Sequence, residues 1–186
     1  RTLVAERERA ELAERLALVT RHANDMILRD IAQRKASEAE IERLNRLYAA
    51  LSQVNQAIVH ATNRVTLFQE VCRVLFEVGR FPIVWLGWPD PATGAIEPVA
   101  VNGDRTGCLG EIQSRLDESE EARSPTGRAI RENRTQVCND FADDPRTLPW
   151  REKAGRAGIR ASIALPVRVA GIAAGVLTVY AAEPGF

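Results

Sequence analysis

A chain of 186 residues can bury one core of ordinary size with material to spare. Its 25 Lys plus Arg balance 25 Asp plus Glu, so no electrostatic excess exists for nucleic acid or an anionic membrane, and neither contact is expected of this segment. No run of about 18 apolar residues could span a bilayer and the first residues lack the apolar core of a signal peptide, while Cys72, Cys108 and Cys138 are odd in number and widely spaced, which speaks against a disulfide framework or a structural zinc.

The expected setting is cytoplasmic, with reduced thiols and no metal. Residues 1 to about 62 hold no Pro and no Gly and predict helix almost throughout. Apolar positions there recur in steps of four and three, first Leu12, Leu16, Val19, Ala23 and Met26, then Leu44, Leu47, Leu51, Val54, Ile58 and Ala61. That spacing is the a/d seam of a coiled coil, with charges such as Glu42 and Arg43 outside it. Pairing with a second copy is the expectation, and an amphipathic helix packed on its own domain is the alternative.

From Val65 to Val78 the residues Phe68, Val71, Cys72, Leu75 and Val78 share one helical face, with Gly79 as C-cap. Residues 82–88, Pro-Ile-Val-Trp-Leu-Gly-Trp, form a nearly continuous apolar strand, and a turn through Pro89–Gly94 leads to a second strand at about Ile96 to Val101. A polar helical stretch follows. Ser124 and Pro125 then supply the N-cap and first position of another helix. A brief strand at Thr135 to Cys138, a loop through Pro145 and a short helix at Pro149 to Ala157 precede two strands, Ser162 to Val169 and Ile172 to Ala181, joined tightly at Ala170-Gly171. The order predicts an α+β fold with an antiparallel sheet.

Residues 44 to 186 resemble the GAF family, in particular the GAF domains of bacterial multidomain signalling proteins. The phrases that carry the resemblance are Leu44–Leu51, Ser124-Pro125-Thr126-Gly127-Arg128-Ala129, Val137-Cys138-Asn139-Asp140, Pro149-Trp150-Arg151-Glu152 and Ser162–Val167 leading to Val179–Ala182. It implies a six-stranded antiparallel sheet with helices on both faces and a small-molecule pocket on one of them. It also implies a closing C-terminal helix, which would begin where the sequence ends at Phe186. Residues 1–43 then read as a helical stalk. Within it, residues 15–28 look like the opening of a PAS domain and Arg29–Lys35 like its closing, with no sheet-forming sequence between Leu28 and Arg29.

On this reading the ligand-binding candidates are Trp85, Thr126, Gly127, Asn139 and Asp140. The helix opening at Ser124 has first amides that could receive an anion, or Ser124 could simply cap them. Trp85 and Trp88, three positions apart in a strand, face opposite sides, so one of them sees the pocket. Asp140, Asp143 and Asp144 stand beside Pro145 and suit turns better than a cation. His22 and His60 both lie in the helical half, which leaves the sheet domain without an axial haem ligand or a catalytic base. No Cys-His pair suits bilin attachment, the motif of cyclic-nucleotide-binding GAF domains is absent, and no cofactor is named. The implied role is sensory: a small molecule or partner bound at the GAF domain, a signal passed through paired helices of a homodimer, and a downstream output such as cyclic-di-GMP turnover or a histidine kinase. Catalysis by the segment itself is not expected. The alternative is a GAF-type reductase of free methionine sulfoxide using Cys108 and Cys138, although Pro125-Thr126-Gly127 carries no Cys where that lineage has one.

Overall fold

The computed structural model describes residues 2–105, 107–111, 114–116 and 123–186, with side chains omitted for 2–11, 13, 108 and 111. The polar stretch expected to be helical before Ser124 falls largely outside the described residues. What is described of it is one short helix, α3 (Cys108–Glu111). Two compact units divide the chain, 1–45 and 46–186.

Helix α1 (Thr2–His60) runs unbroken for 59 residues, through the junction of Leu28 and Arg29. The absence of Gly and Pro explains the length. In the first unit Leu12, Leu16, Val19 and Met26 all stay exposed, at 65–71% of their accessible surface. Leu44, at 42%, is exposed as well. In the second, Ala50 is buried and Leu47 and Val54 are half-buried, whereas Leu51 and Ile58 remain 55–56% exposed. No strand precedes residue 83 among the described residues.

Helix α2 (Arg64–Glu77) starts where Asn63 Oδ1 accepts from the Thr66 amide at 2.9 Å, which satisfies one of the unpaired donors of the first turn. It buries Phe68, Val71, Cys72 and Val74. The left-handed residue that ends it is Arg80, with φ 58°, rather than Gly79. Gly79 is needed for space instead: a Cβ there would stand 2.6 Å from the Leu75 carbonyl.

The sheet has five strands in the order β2-β1-β5-β4-β3, every neighbouring pair antiparallel: β1 (Ile83–Pro89), β2 (Ile96–Asn102), β3 (Gln136–Cys138), β4 (Ala161–Val169) and β5 (Ile172–Ala181). Among the described residues five strands are found where six are expected. Beyond β2 the chain near Arg115 manages one bridge to Ala95, with the Ile96 amide donating to Ser114 and the Leu116 amide to Gly94. A single bridge is too little to count as a strand. The β4–β5 turn has Ala170 and Gly171 both at positive φ, 51° and 83°, which matches the right-handed twist of the strands it joins.

Alternation along β1 sends residues to two separate cores. Ile83 and Trp85 join Ala164, Val176 and Tyr180 beneath α4 (Pro125–Arg131), a 3₁₀ helix (Pro145–Trp150) and α5 (Arg151–Arg156). Val84, Leu86 and Trp88 pack with Val179, Phe68 and Cys72 beneath α2. Trp88 stacks on Phe68 at 5.7 Å, and the Arg64 guanidinium sits 4.7 Å from its ring centroid, a cation–π arrangement. Gly175 on β5 makes room for that indole, since a Cβ there would come within 2.5 Å of the Trp88 ring. Gly175→Ala is therefore expected to cost about 1–3 kcal/mol, read as a lowered urea midpoint at unchanged m-value.

Candidate functional site

On the face opposite Trp88, the Trp85 indole lies across Gly87, where a Cβ would stand 2.5 Å from the ring. Trp85 is only 3% exposed. It lines a cavity of about 430 Å³ together with Ile96, Pro98, Leu109, Ser114 and Arg115, a size within the usual range of small-molecule sites. Its Nε1 is buried and has no hydrogen-bond partner among the described residues. A buried donor with no acceptor is uncommon in a native fold and costs stability unless something fills it. Thr93 and Glu97 also line it; the Ser114 hydroxyl accepts from Ser124 Oγ at 3.3 Å, and Arg115 Nη2 donates to the Thr93 carbonyl at 2.6 Å.

The other four candidate residues do not line this cavity. Thr126 is buried, and its hydroxyl meets that of Thr178 at 3.3 Å across to the sheet. The Gly127 amide donates to Ser124 Oγ at 3.1 Å, so one of the first amides of α4 is taken by the Ser124 cap. Asn139 holds the end of the chain: its side-chain oxygen accepts from the Phe186 amide at 3.1 Å and its carbonyl from the Gly185 amide at 2.7 Å. Asp140 closes a turn through the Ala142 amide and pairs with Arg160 at 3.4 Å. Among the described residues, no group of three His, Cys, Asp or Glu stands close enough to hold a metal ion.

Cys138, the last residue of β3, is fully buried. Burial first, then the neighbouring Asp144 carboxylate, push its thiol up to about 12, against which Arg146 pulls only weakly. A nucleophilic thiol needs the opposite environment. Burial likewise raises Cys72 to about 12. The side chain of Cys108 lies outside those described. One residue that sequence did not single out organises this corner. Arg146 binds both carboxylate oxygens of Asp144 through Nε and donates to the Val137 carbonyl at 2.8 Å, and this hydrogen bonding holds the Asp144 carboxyl below its ordinary value. The signal available was Asp144-Pro145-Arg146 itself, a cap followed by a cation.

The family model described as "GAF domain" matches residues 61–186. Among solved structures, the fold is similar to the free methionine-R-sulfoxide reductase of Neisseria meningitidis in complex with its substrate, at 19% identity and a TM-score of 0.58 over 73% of this chain and 72% of that one. It is similar also to the GAF domain of nlh2 from A. aeolicus in an inactive state, at 14% identity, TM-score 0.57, 79% and 82% coverage. A third is the GAF domain of a phosphoenolpyruvate-protein phosphotransferase from Coxiella burnetii, at 17% identity, TM-score 0.58, 76% and 80% coverage. Identities this low speak for the fold alone. No curated protein matches the chain.

Since both described thiols titrate far above neutrality, a thiol reagent at pH 8 should leave Cys72 and Cys138 unmodified in the folded chain and label them after unfolding, counted by intact mass.

Proposed function

The chain belongs to the GAF domain family, and from that premise we propose that it is a sensory module which binds a small molecule beside Trp85 and reports its presence through paired α1 helices to an output domain elsewhere in the protein. The observation that carries the binding half is the orphaned Trp85 Nε1 at the wall of the 430 Å³ cavity. An acceptor on the ligand would complete it, and the apolar walls supplied by Ile96, Pro98 and Leu109 would take the remainder. The reductase reading has less support, because the described thiol nearest the usual position is buried and held neutral. The setting is proposed as cytoplasmic. No helix among the described residues is long and apolar enough to cross a membrane.

The relay half rests on α1. Because the helix is unbroken, its two apolar seams share one register: from Met26 the steps of four and three pass Asp30, Gln33, Ser37 and Glu40 and arrive at Leu44. Apolar seams therefore flank a polar middle. In a parallel pair the ends would associate firmly, while the middle would bring like carboxylates together at Asp30 and Glu40. Such a helix pair can exist in two arrangements separated by little free energy, and a coupling of about 1–3 kcal/mol then suffices to switch between them.

Two measurements test this reading. Native mass spectrometry of the purified chain should find a small molecule retained by the wild type and lost from Trp85→Phe, which keeps the apolar ring but not the donor. Retention by the variant, or no ligand for the wild type from any extract, would overturn the binding half. Sedimentation should find a dimer that Leu51→Asp dissociates without lowering the thermal midpoint of the sheet domain, each Leu kept in water costing the pair about 2–3 kcal/mol. A wild-type monomer at high micromolar concentration would overturn the relay.

A further inference from the structure

The part of α1 that belongs to the second unit, residues 46–60, has two apolar faces with different fates. Leu47, Ala50, Val54 and Ala57 are buried or half-buried, and Ala61, just past the helix end, continues their spacing of three and four residues. A lone helix exposes every side chain, so this stripe is covered by the same chain. Leu47, Val54 and Ala61 of the seam read from sequence are therefore not available to a partner. Leu51 and Ile58 are: they stay 56% and 55% exposed, and Tyr48, outside that seam, is 69% exposed.

Tyr48, Leu51, Asn55 and Ile58 repeat the three-four-three spacing about 100° round the helix from the covered stripe. All four are exposed, and Val59 lies beside them at 77% exposure. The other flank of α1 is polar. It borders a groove of about 560 Å³ lined by Gln53, Gln56 and His60, and by Thr66, Glu70 and Arg73 of α2.

Charge sets this stretch apart from the rest of the helix. From Leu47 to Val59 there is no Asp, Glu, Lys or Arg, whereas charges are dense from Arg29 to Arg46. Water gives a helix face no reason to exclude charge, but the middle of a protein contact does, and it favours Tyr. In a two-fold contact the residues nearest the axis meet their own copies, so a charge there would face its like. An amide both donates and accepts and can pair with its own copy. Asn55 is the one amide of the exposed seam.

We propose that α1 pairs in parallel with a second copy of the chain through Tyr48, Leu51, Asn55 and Ile58, and that Asn55, hydrogen-bonded to its counterpart, fixes the register and holds the assembly at two chains. This contact presupposes the pairing proposed for α1 above and names the face that makes it. An amide among apolar residues weakens such a seam, yet it disfavours slipped registers and larger bundles, in which it would be left without a partner.

Cross-linking and sedimentation of the full chain test this. In a Cys108→Ser background, where the remaining thiols Cys72 and Cys138 are buried, Tyr48→Cys and Asn55→Cys should each give a covalent dimer on mild oxidation, and Gln56→Cys should not. All three positions are exposed, so the fold should carry each change. Asn55→Leu should tighten association about tenfold or more and add trimers or tetramers. A monomeric wild type overturns the pairing and this face together. A dimer that cross-links through Gln56→Cys, or fails to do so at either seam position, leaves the pairing standing and overturns the face. An Asn55→Leu dimer of unchanged affinity and size overturns the role given to Asn55.

Discussion

One sheet buried on both faces governs this molecule. A strand in such a sheet must be apolar at nearly every position, yet consecutive side chains go to different cores and must fit different partners. β1 carries that demand most heavily. Its indoles at 85 and 88 go to opposite faces, and two glycines, one on its own strand and one on β5, give them room. Both cores are therefore built around a large flat ring lying against a residue without a side chain. Packing of that kind tolerates little change in volume.

The same constraint explains what separates the two sides. The α2 side is packed by one regular helix, and among the described residues no buried side-chain nitrogen or oxygen of the core around Phe68, Cys72 and Trp88 lacks a partner. The other side is covered by short pieces: seven residues of α4, six of the 3₁₀ helix and six of α5. Short pieces cannot seal a sheet. The cavity beside Trp85 opens on this same side, lined from β1, β2 and residues 109–110 and 114–115 rather than from those three pieces. The orphaned Trp85 Nε1 is on the poorly sealed side. Stability and recognition are thus divided between the faces of a single sheet.

Much of the scaffold was readable from the residues. The Gly- and Pro-free stretch marks α1, the opposite facing of Trp85 and Trp88 follows from the strand period, and Ser124-Pro125 announces the start of α4; each is a local signal with a local cause. The candidate site was less legible. Thr126, Gly127, Asn139 and Asp140 are polar or small residues in plausible places, but their hydrogen bonds go to Thr178, Ser124, Phe186 and Arg160, and three of those four partners lie 20 or more positions away in sequence. Spacing cannot show who satisfies whom over such distances. Among the described residues the sheet edge beyond β2 shows a single bridge, between Ala95 and Arg115, in place of a sixth strand.

The placement of the two tryptophans on β1 has a mechanical consequence. β1 is laddered to β2 on one edge and to β5 on the other, which holds it against both sliding and rotation. Three residues beyond Trp85, Trp88 meets Phe68 and Arg64 at the start of α2. The thickness of one backbone separates whatever occupies the side of the short helices from the helix that directly follows α1.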